Sequence, residues 1–246
     1  MSLRPTDLER LRALPLFAGA GEETFRDLMG GAYLQRFPAH TTLIQEGDPT
    51  DFLHVLLEGS VELVGTWNEK EMSLGLMEPV AVFVLAAVAL DAPALTTAET
   101  RERSEVLLLP AAPVRRAMAA DPRFCFAATR EMAVAYEAMV RSIKNQKLRG
   151  GVERLANYLV SEQARQGGPV ITLHHEKRVL ASLLGMTPEN LSRAFASLSD
   201  YGVSVHGPEV TIGLPKALMR LAKPTPLIDP VGDEPAGSPN SRFSAA

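Results

Sequence analysis

Glu189, Ser192 and Arg193 stand at i, i+3 and i+4 within Thr187-Pro-Glu-Asn-Leu-Ser-Arg-Ala-Phe-Ala-Ser-Leu198. On a helix they share one face. An arginine can donate two parallel hydrogen bonds to guanine O6 and N7, and a glutamate can accept one from cytosine N4. The chemistry on offer is therefore the reading of base edges in a DNA major groove, with Ser192 as a supporting contact. On an ordinary solvated helix the same Glu and Arg would simply form an i, i+4 ion pair. The small neighbours Ser192 and Ala196 favour the groove, because a solvated face usually carries Lys and Glu throughout.

The elements that would position this face are legible on either side of it. Lys177 to Leu184 has helical apolar spacing and ends at Gly185, where a turn needs a residue tolerant of positive φ. Thr187 suits the N-cap of a second helix, Pro188 its first position, and Glu189 the positive end of its dipole. Leu191, Phe195 and Leu198 form the expected buried stripe. This is a helix-turn-helix, and its expected DNA contacts are Thr187, Glu189, Asn190, Ser192 and Arg193, with Lys177 and Arg178 on phosphate. Val203 to Ile212 alternates around Gly207-Pro208 as a hairpin, or wing, and Val170-Ile-Thr-Leu173 is a further β run. Residues 150–223 are thus expected to be a winged helix.

The net charge of −4 suits a nucleic-acid binder only once it is divided along the chain. Residues 144–223 hold 11 Lys and Arg against 6 Asp and Glu, whereas residues 1–143 hold 13 against 20. The basic part coincides with the winged helix. Lys144, Lys147 and Arg149 are further phosphate candidates. A single cysteine, Cys125, permits no intrachain disulfide and no cysteine-ligated iron–sulfur cluster. The opening residues carry no signal pattern, and the most apolar run, Val80–Leu90, is too short to span a bilayer. The expected setting is cytoplasmic, without a membrane partner. There is no paired-carboxylate, nucleophile or metal-ligand spacing, so the chain reads as no enzyme.

Upstream, residues 1–120 read as a sensor domain. Two short helices lie within Leu8–Met29, and turn signals recur every 8–12 residues from Tyr33 to Leu109, as in a sandwich or barrel. Asp121 caps a long helix over 121–149 with Pro122 at its first position. Ala128, Met132, Ala135, Met139 and Ile143 recur along it in steps of four and three, the seam of a parallel dimer. A two-fold dimer predicts a palindromic site. Residues 224–246, rich in Pro, Gly and Ser, are expected to be a disordered tail.

A β-roll, a long helix and a winged helix in that order resemble the Crp/Fnr family of bacterial transcription regulators. The resemblance covers about residues 8–220. It rests on Glu46-Gly-Asp-Pro-Thr-Asp-Phe-Leu-His-Val-Leu-Leu-Glu-Gly-Ser-Val61 and on Glu189-x-x-Ser192-Arg193. It implies an α+β fold with a cyclic-nucleotide-binding-like double-stranded β-roll, a TTG-containing inverted repeat as target, and RNA polymerase as a partner. The cyclic-AMP cassette of the family is missing. Its Gly-Glu positions fall on Phe83-Val84 and its Arg-Ser positions on Ala94-Leu95. An unpaired phosphate there would cost several kcal/mol, so cyclic AMP is not expected.

The stretches Lys144-Asn-Gln-Lys-Leu-Arg149 and Met186 to Phe195 are most similar to the nitric-oxide-responsive denitrification regulators, the NnrR-like group. That similarity implies an apolar effector pocket of Val82, Phe83, Val84, Leu85, Val88 and Leu95. It also implies haem, with His54 or His40 as axial ligand. Two alternatives stay open. One is a regulator without its own ligand, controlled by abundance or by Cys125 oxidation. The other is an effector-binding regulatory module for a protein partner.

Overall fold

The computed structural model describes residues 3–68, 70–173, 177–229 and 243–245, the last three as backbone. Two helices, α1 (Pro5–Arg12) and α2 (Glu22–Gly30), precede eight strands. These are β1 (Tyr33–Phe37), β2 (Thr42–Ile44), β3 (Phe52–Glu58), β4 (Val61–Trp67), β5 (Lys70–Met77), β6 (Ala81–Phe83), β7 (Thr97–Thr100) and β8 (Ser104–Pro110). Helix α3 (Leu85–Leu90) lies between β6 and β7. Then follow α4 (Ala111–Ala120), α5 (Pro122–Leu148), α6 (Gly151–Gln166), β9 (Val170–Thr172), α7 (Lys177–Leu183), α8 (Pro188–Leu198), β10 (Val203–His206), β11 (Glu209–Ile212), α9 (Pro215–Ala222) and β12 (Phe243–Ala245). Contacts group the chain into two compact units that divide α5 between Glu137 and Ala138.

The first unit is a roll of two sheets, ordered β1-β8-β3-β6 and β12-β5-β4-β7-β2, with β1 to β8 paired antiparallel. Alternation along β3 explains its two cores. Leu53, Val55 and Leu57 face the helices, packing with Phe17, Leu28, Leu85, Val88, Val114 and Phe124. Leu56 faces inward, with Ile44, Val61, Met77, Phe83, Ala98 and Val106. A buried Glu105 on β8 ties α1 to this sheet by accepting from Arg10 at 2.8 Å and Arg36 at 3.0 Å. Gly59, between β3 and β4, has φ +87, and a Cβ there would lie 2.6 Å from the Arg103 carbonyl oxygen. The turn tolerates no side chain.

Asp121 starts the long helix as the sequence suggests. Its Oδ1 accepts from the N–H groups of Arg123 and Phe124, and its Oδ2 from Gly21 N at 2.7 Å, where α2 begins. Two helix N-termini are thus held by one carboxylate.

The expected dimer seam requires correction. Ala128 is fully buried and Met132 packs on the same core, so these two serve their own roll. Ala135, Met139 and Ile143 are exposed, and with Tyr136 and Val140 they leave apolar surface on the second half of α5.

The second unit contains that half of α5 and the winged helix. Leu155, Leu159, Ile171, Leu180, Leu191, Leu198, Val210 and Leu218 form its core. Strands β10, β11 and β9 make a three-stranded antiparallel sheet. The expectation of a disordered tail fails for its first residues. Thr225–Asp229 folds into a turn, with Asp229 N donating to Thr225 O at 2.8 Å, and β12 lies further on. The rest of the expected tail, residues 230–242 and 246, lies outside the described residues.

Candidate nucleic-acid interface and effector region

Helix α7 stops in a Schellman-type end. Gly185 takes φ +60, its N–H reaches Ser182 O, and the Met186 N–H reaches Ala181 O at 2.9 Å. The leftover carbonyls of Leu184 and Gly185 accept from the Arg154 guanidinium on α6, at 2.7 and 3.3 Å. A third bond, to Arg149 O at 2.7 Å, ties the same guanidinium to the end of α5. Burial lowers the Arg154 pKa without a compensating carboxylate. Arg154 therefore positions the turn, and sequence reasoning gave it no role. An arginine on an amphipathic helix has no periodic signature, and only the carbonyls that it meets across the fold reveal it.

Thr187 then caps α8, its Oγ1 accepting from Asn190 N at 3.3 Å. The Thr187 hydroxyl, the Glu189 backbone N–H and the Arg193 charge hold the Glu189 carboxyl below its ordinary pKa. Glu189 thus stays an acceptor, as cytosine N4 would require. Glu189, Asn190, Ser192, Arg193 and Ala196 are all exposed on one side of α8, and Lys177 and Arg178 are exposed at the start of α7. The buried stripe is Leu191, Ala194 and Leu198, with Phe195 only half-buried. The i+3 position thus lies deeper than the i+4 position that carries the larger ring. The wing tip, His206 to Glu209, is exposed beside Gly207 at φ +62.

Two expected phosphate contacts are otherwise engaged. Lys144 Nζ donates to Leu227 O at 3.0 Å, and Arg149 forms a bidentate pair with Asp229. Lys147 remains exposed.

The expected effector residues do not line one cavity. Phe83 faces the roll interior, whereas Leu85 and Val88 belong to the helix-side core. Val84 stands between them at φ +57 and touches both cores, and Val82 packs against the helix side. Leu95 is 84% exposed. The strand-to-helix switch at Val84 sends neighbouring side chains to opposite layers, which a contiguous apolar run cannot reveal. An open cleft of about 340 Å³ lies elsewhere, lined by Thr50, Asp51, Asp91 and Arg115 among others. In it Arg115 pairs with Asp91 at 2.9 Å.

Of the two histidines, His40 sits on the surface beside Glu99 at 3.3 Å. His54 is 4% exposed, stacks on Phe83 with ring centroids 4.9 Å apart, and has no hydrogen-bond partner at Nδ1. Burial takes its pKa down to about 4, against a weaker opposing pull from the Phe52 backbone. Cys125, near the start of α5, is a half-buried free thiol. No helix among the described residues is long and apolar enough to cross a membrane.

Residues 34–121 match the cyclic nucleotide-binding domain family, and residues 153–221 match the Crp-like helix-turn-helix domain. The chain belongs to the Crp/Fnr family. It is a DNA-binding transcription regulator of that type and not an enzyme. Solved structures share the fold at low identity. The c-di-GMP-responsive global regulator CLP of Xanthomonas campestris is 17% identical over 78% of this chain and 99% of that one, with a TM-score of 0.67. FixK2 of Bradyrhizobium japonicum is 18% identical over 77% of this chain and 96% of its own, with a TM-score of 0.64. A transcriptional regulator of the Crp family from Thermus thermophilus is 22% identical over 78% of this chain and 97% of its own, with a TM-score of 0.61. No curated protein matches the chain significantly.

Proposed function

We propose that this Crp/Fnr regulator acts as a homodimer on a TTG-containing inverted repeat, contacts RNA polymerase there, and answers to an effector other than cyclic AMP. The observation that carries the DNA reading is the exposed Glu189–Ser192–Arg193 face on a helix whose turn is fixed by Gly185, Thr187 and Arg154. Glu189 and Arg193 read the C·G and G·C pairs of each half-site, and Lys177 and Arg178 contact phosphate. Exposed Met139 and Ile143, with Tyr136 and Val140, support dimerisation through the second half of α5. Fluorescence anisotropy on an inverted-repeat duplex tests the reading. Arg193→Ala should lose affinity by roughly 5- to 150-fold and relax preference at the guanine position. Unchanged affinity and preference would sink it.

The effector reading rests on the roll interior. Its apolar cluster, Ile44 to Val106, surrounds a buried, uncharged His54 stacked on Phe83, and no cation stands at the cassette positions Ala94 and Leu95 to meet a phosphate. The family resemblance points instead to nitric oxide sensed through haem. As a donor His54 fits that group, since its Nδ1 is free and its imidazole neutral at neutral pH. The space around it does not fit, because Phe83 stacks on the ring and Leu56 and Leu108 pack the same interior. His40, exposed and bonded to Glu99, is the poorer ligand. Anaerobic haem titration decides. A Soret band that shifts with nitric oxide and is lost in His54→Ala supports the reading, and no bound haem removes it while leaving DNA binding intact.

A further inference from the structure

The covalent hinge between the long helix and the reading head is short. Helix α5 ends at Leu148 and α6 begins at Gly151, with Arg149 and Gly150 between them. One segment beyond the winged helix is bonded to the α5 side of this hinge and follows α9, which is itself bonded to α6. The Arg149 side chain, 8% exposed, donates to both carboxylate oxygens of Asp229 at 2.7 Å. Asp229 also accepts from Thr225 N at 2.8 Å, which closes the turn. Arg141 donates to the carbonyls of Pro226 and Asp229 at 2.7 and 3.1 Å, and Lys144 to that of Leu227 at 3.0 Å. On the other side the turn continues directly from α9, whose last carbonyl, Ala222 O, accepts from the buried Asn157 of α6 at 2.6 Å.

Two cations from the last turns of α5, Arg141 and Lys144, and Arg149 just beyond its end therefore grip a turn that is tethered through α9 to α6, around Gly150. Bidentate pairing of a nearly buried arginine fixes direction as well as distance. Arg141, Asn145 and Arg149 follow at i, i+4 and i+8, on the side of α5 away from Met139 and Ile143. A second copy on the apolar face would leave the turn in place.

We propose that residues 225–229 are a strap across the Gly150 hinge, and that Asp229 is the positioning residue that sets the angle of the reading head on α5. In a dimer this angle fixes the separation of the two recognition helices and hence the half-site spacing accepted. That consequence rests on the function proposed above, whereas the strap itself does not.

The test uses the full chain and Asp229→Asn, in two arms. In the first, amide hydrogen exchange over 145–154 should quicken about tenfold or more in the variant, as expected when a charge-assisted pair is lost from a local opening unit. Unchanged protection would overturn the strap. In the second, anisotropy compares inverted repeats whose spacer is varied by one or two base pairs. The variant should bind the best spacer several-fold more weakly and the others nearly as well as wild type does, with affinity for a single half-site unchanged. If wild type discriminates spacers and the variant discriminates equally, the positioning role is refuted. If wild type prefers no inverted repeat at all, the functional reading fails, and the exchange arm alone decides the strap.

Discussion

Replacing Asp121 should separate the two jobs that its carboxylate performs. Oδ1 accepts from Arg123 N at 2.9 Å and Phe124 N at 3.1 Å, capping α5, and Oδ2 accepts from Gly21 N at 2.7 Å, anchoring the start of α2. Losing an N-cap costs about 1 kcal/mol, and a hydrogen bond to a charged acceptor adds about 1.5 kcal/mol, so Asp121→Ala should destabilise by roughly 2–3 kcal/mol. Asp121→Asn keeps a capping oxygen and loses the charge, so about half of that loss is expected. The backbone N–H of Gly21 and that of Phe124, with smaller help from Thr24 and Arg123, bring the Asp121 pKa down to about 2 from 3.8. The unfolded carboxylate binds its proton first as pH falls. The advantage of wild type over Asp121→Asn is therefore complete above about pH 4 and gone by about pH 2. Urea denaturation followed by far-ultraviolet circular dichroism at pH 7, 4 and 2.5 measures it. Equal stability of wild type and Asp121→Ala at pH 7, or a wild-type advantage over Asp121→Asn that does not shrink below pH 4, would refute the reasoning.

Gly59→Ala places a methyl at φ +87 and 2.6 Å from the Arg103 carbonyl oxygen, and should cost about 2–4 kcal/mol in the same denaturation assay. Arg154→Ala strips the guanidinium from the Leu184, Gly185 and Arg149 carbonyls; it should destabilise the second unit by about 2 kcal/mol and raise amide exchange through 184–190. Met139→Glu with Ile143→Glu places charge on exposed apolar positions, so the monomer should keep its thermal stability. In sedimentation velocity the mass should fall to that of one chain, and a mass unchanged from wild type would move the dimer interface elsewhere.

How far each element was legible depends on how local its causes are. Gly185, Thr187 and Pro188 act on their own turn, and α7, the turn and α8 form where those residues predict. The long helix was legible from Asp121 onward, but its apolar seam was not. One stripe serves two neighbours, with Ala128 and Met132 turned to the roll and Met139 and Ile143 to solvent. The effector residues were misread for a related reason. A contiguous apolar run says nothing of the layer each side chain enters, and β6 gives way to α3 at Val84 within that run. The strap was hidden by composition: proline and glycine suggested disorder, while one aspartate eighty residues from its arginine supplied order.

The arrangement around Val84 bears on how a ligand in the roll would be felt. Phe83 and His54 fill the inward core as directly opposite partners on β6 and β3. A group entering that core must displace Phe83. One residue on, the backbone takes a left-handed conformation at a β-branched side chain, which only strong surroundings sustain. Immediately beyond, Leu85 and Val88 pack in the same core as Phe124 and Ala128 of α5. Displacement of Phe83 thus pulls on a strained turn that is continuous with the seat of the long helix. The path needs no phosphate and no cassette arginine, and close packing transmits it because a filled core shifts as a unit.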